Sequence, residues 1–231
     1  MGGFKKELNN VVFEQNLFSL IIWHISQCCK KMREDCKTTG ENLYHHEDKI
    51  SNRLVERHLD MNYLGLRFER ETLEHYDPES DTYKGRTDIT IKSSDWLKNR
   101  EAYYIVEAKR LDGGTSLNKA YISEGISRFV ILPSSKYPSY YGKSIMLGYV
   151  VQAIDISENV VEIDKLQRKM IVNVAIGEMN LVCDDGEGFS HYQCLYQANG
   201  NINVVLAHLF YNFSDVMCDK SSSPPDNNKS A

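Results

Sequence analysis

Eight residues near the middle of the chain, Ala102 to Lys109 (Ala-Tyr-Tyr-Ile-Val-Glu-Ala-Lys), restrict the fold more than any other stretch. Nearly all are strand formers, and the run reads as a central strand covered on both faces until Glu107 and Lys109 interrupt it. Alternate strand residues share a face about 6–7 Å apart, so Tyr103, Ile105, Glu107 and Lys109 project together. Two charges at the end of a covered strand cost several kcal/mol if left unpaired. They require an ion, an anionic ligand or an opposite charge beside them.

Around this strand the hydrophobic period alternates between helix and sheet. Residues 5–36 carry an apolar stripe at spacings of three, four and seven (Leu8, Val11, Val12, Phe18, Ile22, Ile25, Cys29, Met32), which predicts one long helix packing on the core or on a partner. Residues 37–43, with Gly40, predict a break, and 42–60 a second helix on which Glu47 borders the apolar face. Leu64 to Glu71 and Asp88 to Lys92 alternate as strands, with a turn-rich acidic loop over 75–85 between them. A turn over 93–100 leads to the central strand. Then come a helix over 118–129, a strand over 144–153, a helix over 158–170 and strands over 172–176 and 192–197. Residues 203–213 fit either strand or helix. The Ser/Pro/Asn-rich residues 219–231 predict a disordered tail. The order predicts an α/β domain over residues 41–218 with a mixed central sheet flanked by helices, an N-terminal helix over 1–40 and C-terminal α/β additions.

Composition narrows the functional classes. The 231 residues are 42% hydrophobic, enough for a sizeable core without disulfides. The six cysteines form no CxxC pair and read as reduced thiols of a cytoplasmic protein. The most apolar run, Leu17 to Ile25, is too short for a membrane span and fits a signal peptide poorly, so no membrane role is expected. The formal net charge of −5 argues against a protein that coats nucleic acid non-specifically, although a local basic groove remains compatible with it.

Asp88 precedes Glu107 by 18 intervening residues, and a hairpin between their strands would bring both carboxylates within reach of one metal ion. Carboxylate oxygens suit Mg²⁺, which acidifies a bound water and offsets charge building on a phosphodiester. A lysine alongside can orient that water or stabilise the pentavalent oxygens. Asp88, Glu107-Ala108-Lys109 and the predicted order helix, three strands, helix, strand over residues 41–153 resemble the PD-(D/E)XK nuclease superfamily, the restriction-endonuclease-like fold. Thr87 stands where the superfamily's name has proline. The resemblance covers about half the chain. It implies Asp88, Glu107 and Lys109 as catalytic residues and Asp88, Glu107 and the helical Glu47 as ligands of Mg²⁺, with Mn²⁺ able to substitute. It also implies a nuclease acting on DNA, an endonuclease of restriction or anti-phage defence, working as a homodimer or with a partner subunit.

Plainer roles stand beside each of these. Asp88 also fits a turn cap, Glu107 and Lys109 a structural ion pair, and Glu47 a carboxylate at a helix N-terminus. Glu41 is its rival. Arg110, Lys119, Arg128 and Lys143, with Lys136, are candidates for a phosphate track, and Tyr137, Tyr140 and Tyr141 for base stacking. His45-His46 reads as solvated, and Asp184-Asp-Gly-Glu-Gly as a turn rather than a calcium loop. The competing functional class is a non-catalytic nucleic-acid-binding or scaffold subunit with the same fold. No Gly-rich phosphate loop points to a metabolic enzyme.

Overall fold

The computed structural model describes residues 6–60, 62–77, 82–93, 103–131, 142–198 and 202–219. Residues 220–231 of the predicted tail, residues 94–100 of the predicted turn, and Lys136, Tyr137, Tyr140 and Tyr141 lie outside them.

The long apolar stripe forms α1 (Lys6–Thr39), which ends at Gly40 in the left-handed conformation (φ 73°), three residues later than the sequence predicts. Glycine closes a helix there without a Cβ penalty. The second helix starts later than expected. Residues 42–46 are non-helical, with Leu43 bridged to Met217 and a tight turn in which the His46 N–H donates to the Tyr44 carbonyl, and α2 spans Glu47–Leu54 before a π-turn over Val55–Leu59. Strands β1 (Arg67–Arg70), β2 (Leu73–Asp77), β3 (Thr82–Arg86), β4 (Ile89–Lys92) and β5 (Tyr103–Leu111) come next. The predicted acidic loop over 75–85 is largely the β2–β3 hairpin, a separate two-stranded sheet.

Beyond β5 lie α3 (Thr115–Ala120), a π-turn over Tyr121–Ile126, α4 (Ser127–Val130), β6 (Lys143–Val150) and α5 (Ile156–Met170). Asp155 caps α5 by accepting the Glu158 N–H at 3.0 Å. The chain closes with β7 (Val174–Ile176), β8 (Asn180–Asp184), β9 (Phe189–Ala198) and β10 (Ile202–Asn212). Asp184-Asp-Gly-Glu-Gly is the β8–β9 turn, held by Asp184 and Asp185 accepting backbone N–H groups.

The main sheet has eight strands among the described residues, in the order β1-β4-β5-β6-β10-β9-β7, with β8 also on β9. It is mixed: β5, β6 and β10 are parallel, and the remaining pairs antiparallel. The undecided segment 203–213 is therefore a central strand, and the C-terminal residues complete the sheet rather than append to it. One face packs on α1 and α2, through Ile21, Ile25, Met32, Ile50, Leu54, Tyr104, Val106 and Leu209. The other packs on α3, α4 and α5, through Ile105, Leu111, Ile122, Phe129, Met146, Ile163 and Phe210. Alternate β5 residues serve opposite faces, as the strand pattern predicts. The buried stripe of α1 lies on the chain's own core. Among the described residues no helix is long and apolar enough to cross a membrane.

Candidate functional site

The site exists because β4 is shorter than β5. Their antiparallel ladder ends at Ile89 opposite Val106, whereas β5 continues to Leu111 on its β6 side. Beyond Val106 the other edge of β5 would leave backbone groups without a strand to pair them, a costly state in a covered sheet. Side chains take the place of that strand. Asp88, immediately before β4, accepts the Ala108 N–H at 2.8 Å. Glu47, the first residue of α2, accepts the Arg110 N–H at 3.2 Å. Lys109 bends its ammonium back to the Ala108 carbonyl at 2.8 Å. Three charged groups thus converge on one short length of strand edge because each closes a backbone vacancy there.

Lys109 Nζ then lies 2.8 Å from Glu47, 2.9 Å from Glu107 and 3.8 Å from Asp88. Glu107 is wholly buried. Its Oε1 accepts from Lys109 and also from Arg128 of α4 at 2.6 Å, while its Oε2 has no hydrogen-bond partner. Burial, reinforced by the negative charge of Asp88, pushes Glu107 up to about 7 against the pull of Lys109 and Arg128. Burial opposes the charge on Lys109, but the three surrounding carboxylates outweigh it and hold the ammonium protonated well above its ordinary range. Glu47 is also raised by burial, partly offset by Lys109. The site opens into a cleft of about 380 Å³ lined by Glu47, Asp48, Lys109, Arg110, Leu117 and Glu124, between α2 and α3.

The donor chemistry fits a hard cation: three carboxylates, one with a buried, unpaired oxygen. The spacing fits an ammonium. Lys109 Nζ sits among the carboxylates at hydrogen-bonding distances, longer than the ~2.1 Å of a Mg²⁺–oxygen bond. Among the described residues no three His, Cys, Asp or Glu side chains stand close enough together to ligate a metal in this arrangement. A metal held by Glu47, Asp88 and Glu107 would require Lys109 to withdraw and the carboxylates to draw inward.

The structure brings Asp88, Glu107, Lys109 and Glu47 together. Glu41 lies elsewhere, paired with Arg57 at 2.9 Å. Of the four phosphate-track candidates, two are tied to the site itself: Arg128 to Glu107, and Arg110 through its backbone to Glu47 and through its guanidinium to the His45 carbonyl. Lys119 is exposed on α3. Lys143 begins β6, five residues before the Gly148 that pairs with Lys109, and its ammonium lies over the Phe18 ring at 5.3 Å. At about 3.3 Å per residue it stands roughly 16 Å along the sheet from the carboxylates.

Spacing along the chain gives no sign of the link between Arg128 and Glu107. It depends on the π-turn preceding α4, which adds a residue to the helical turn and rotates α4 about its axis. Gly125 within that turn packs so closely on β6 that a Cβ would strike the Met146 methyl group, and the Lys109 stem runs beside it. No family model, curated protein or solved structure matches the chain.

Proposed function

We propose that this protein is a metal-dependent nuclease with a restriction-endonuclease-like fold, hydrolysing phosphodiester bonds in DNA as an endonuclease of restriction or anti-phage defence. The observation that carries the reading is the convergence of Glu47, Asp88 and Glu107 on Lys109 at a cleft, with one Glu107 oxygen buried and unpaired. An unpaired buried carboxylate oxygen carries a desolvation penalty of about 1–3 kcal/mol or more, which a bound cation would return.

In this reading Asp88, Glu107 and Glu47 would hold Mg²⁺ or Mn²⁺. Bound there, the metal supplies an acidified water and neutralises charge developing on the phosphate. The chain's own residues do the rest. Glu47 and Asp88 are pinned by the Arg110 and Ala108 N–H groups, so they are oriented before any ligand arrives. Lys109, permanently protonated, holds the attacking water and donates to the phosphoryl oxygens. Arg110, whose guanidinium donates to the His45 carbonyl, and the exposed Lys119 of α3 would contact the flanking phosphates.

A second reading is favoured by one observation: the Lys109 ammonium already forms ion pairs with all three carboxylates, as a purely structural ion-pair centre would. That reading is a non-catalytic nucleic-acid-binding or scaffold subunit. The two are separated by incubating the protein with linear, circular and single-stranded DNA and with RNA, in Mg²⁺, Mn²⁺ or EDTA. Divalent-dependent cleavage abolished by EDTA is expected. Binding without cleavage under every metal condition would establish the scaffold.

A further inference from the structure

The two edges of the main sheet are finished differently. At one edge, β1 carries charge at Arg67, Glu69 and Arg70, and Glu69 is paired with both Arg67 and Lys92. Charge along an edge strand discourages another strand from pairing with it. At the other edge, Arg168 of α5 closes the end of β7 by donating to the Ile176 and Gly177 carbonyls at 2.9 and 2.6 Å. Strand β8 has neither device. Among the described residues it pairs with β9 alone, and its residues are exposed throughout. It contains no lysine, arginine or proline, and Leu181 and Val182 at its centre are both more than half exposed. Val182 sits at a bulge in the β8–β9 ladder and lines one cleft with Trp23 of α1, which is 56% exposed. Leu20, also exposed, lies one turn before Trp23 on the same helix face. An unpaired strand edge and an apolar helix face thus adjoin each other, as at an interface.

We propose that β8 is a self-association edge: it pairs antiparallel with β8 of a second copy about a two-fold axis, and Leu20 and Trp23 of each α1 pack over the seam. Charge favours this arrangement. The strand has one charged residue, Asp184, at its C-terminal end and the neutral amide of Asn180 at its start. Antiparallel pairing lays each Asp184 beside the other copy's Asn180, whereas parallel pairing would set the two carboxylates side by side. The helix patch also selects the occupant. A lone peptide strand would pair the edge but leave Leu20 and Trp23 in water. A second copy related by a two-fold brings its own α1 to the same side of the joined sheet, because the same patch meets itself. Strand β5 lies four strands in from β8, past β6, β10 and β9, so the Glu47–Lys109 cleft is not at the seam. The proposal is therefore independent of the nuclease reading.

The experiment is sedimentation equilibrium of the full chain from about 1 µM to 1 mM, the span of weak to moderate affinities. Wild type, Val182→Lys, Trp23→Lys and the control Tyr63→Lys, at a fully exposed position before β1, are each checked for folding by circular dichroism. The wild type is expected to reach twice the chain mass. Val182→Lys and Trp23→Lys should each weaken association at least about tenfold, as loss of a central contact does, and Tyr63→Lys should not change it. Hydrogen exchange of the 180–184 amides should be slower in the dimer than in the monomer. A wild type that keeps the chain mass throughout overturns the proposal and leaves the edge to an extended segment of another protein. A dimer that folded Val182→Lys and Trp23→Lys do not weaken lies on another surface and overturns it too; if one variant does not fold, the other decides. Equal exchange of those amides in monomer and dimer overturns the strand pairing.

Discussion

Two polar centres are buried on the same face of the sheet, and the segment 115–130 serves both. At one, Tyr121 donates to His208 Nδ1 at 2.9 Å, while the Tyr196 hydroxyl lies 3.3 Å from His208 Nε2 and donates to Gln167 at 2.7 Å. At the other, Arg128 meets Glu107. The His208 centre is neutral and both its ring nitrogens are paired. Complete burial lowers His208 to about 3, so the ring carries no charge near neutrality. The Glu107 centre carries opposed charges and retains an orphan oxygen. A satisfied neutral network rigidifies a core. A charged cluster with an unpaired buried atom is less stable than a satisfied one. Of these two wholly buried groups, Glu107 alone keeps an unpaired atom.

Lys109→Met tests this contrast most severely. Cleavage is expected to fall ~10²–10³-fold, as for loss of one electrostatic donor to a transition state. Mn²⁺ binding should persist or tighten, because the ammonium no longer occupies the space between the carboxylates. Glu107→Gln should instead lose metal binding and cleavage together. Parallel titration and cleavage time courses test both. A Lys109→Met variant that cuts at the parent rate would make the lysine structural and remove the main support for a nuclease.

At the neutral centre, His208→Phe is expected to cost roughly 2–4 kcal/mol in urea unfolding, since two buried tyrosine hydroxyls lose a partner. Cleavage per folded molecule should not change. A comparable loss of specific activity would show that the two centres are coupled.

The centres should also respond to pH in opposite directions. Folded Glu107 keeps its proton up to about 7, whereas the unfolded chain releases it near 4.5. Its contribution is fully present below 4.5 and is lost as pH rises toward 7. Unfolded His208 binds a proton near 6.5, but the folded ring resists protonation down to about 3. Its contribution is present above 6.5 and is lost as pH falls toward 3. Unfolding of the wild type and Glu107→Gln across this range should show the variant gaining relative stability from pH 4.5 to 7. Identical pH profiles would place the titration elsewhere.

The smallest effects belong to the surface cations. Lys119→Ala should reduce the salt dependence of DNA binding by about one phosphate contact. Lys143→Ala, remote from the cleft and stacked on Phe18, should leave it unchanged. The reverse ranking in a salt titration would move the nucleic-acid path to the far end of β6.

The helix order, the buried strand and the grouping of Glu107 with Lys109 are legible in the sequence because each rests on a local period, 3.6 for a helix and 2 for a strand. An acidic, turn-rich composition hides the β2–β3 hairpin, and an apolar run that fits either period hides β10. The start of α2 escapes local reading because it is set at long range. Leu43 pairs with the segment 216–218, donating to Val216 and accepting from Cys218, and this keeps the residues before Glu47 out of the helix.

Local pattern alone therefore dictates that a covered strand carries a carboxylate and a lysine on one face, and that both need partners. Which groups become those partners is a matter of tertiary arrangement. The β4 ladder stops at Val106, so Asp88 rather than another strand meets Ala108. The helix begins at Glu47, so that residue rather than Glu41 meets Arg110. The π-turn rotates α4, so Arg128 meets Glu107. Side-chain parity is a property of a few consecutive residues. Where a ladder ends, and what fills the gap, depends on register and helix placement between segments distant in sequence, 63 residues apart for Glu47 and Arg110.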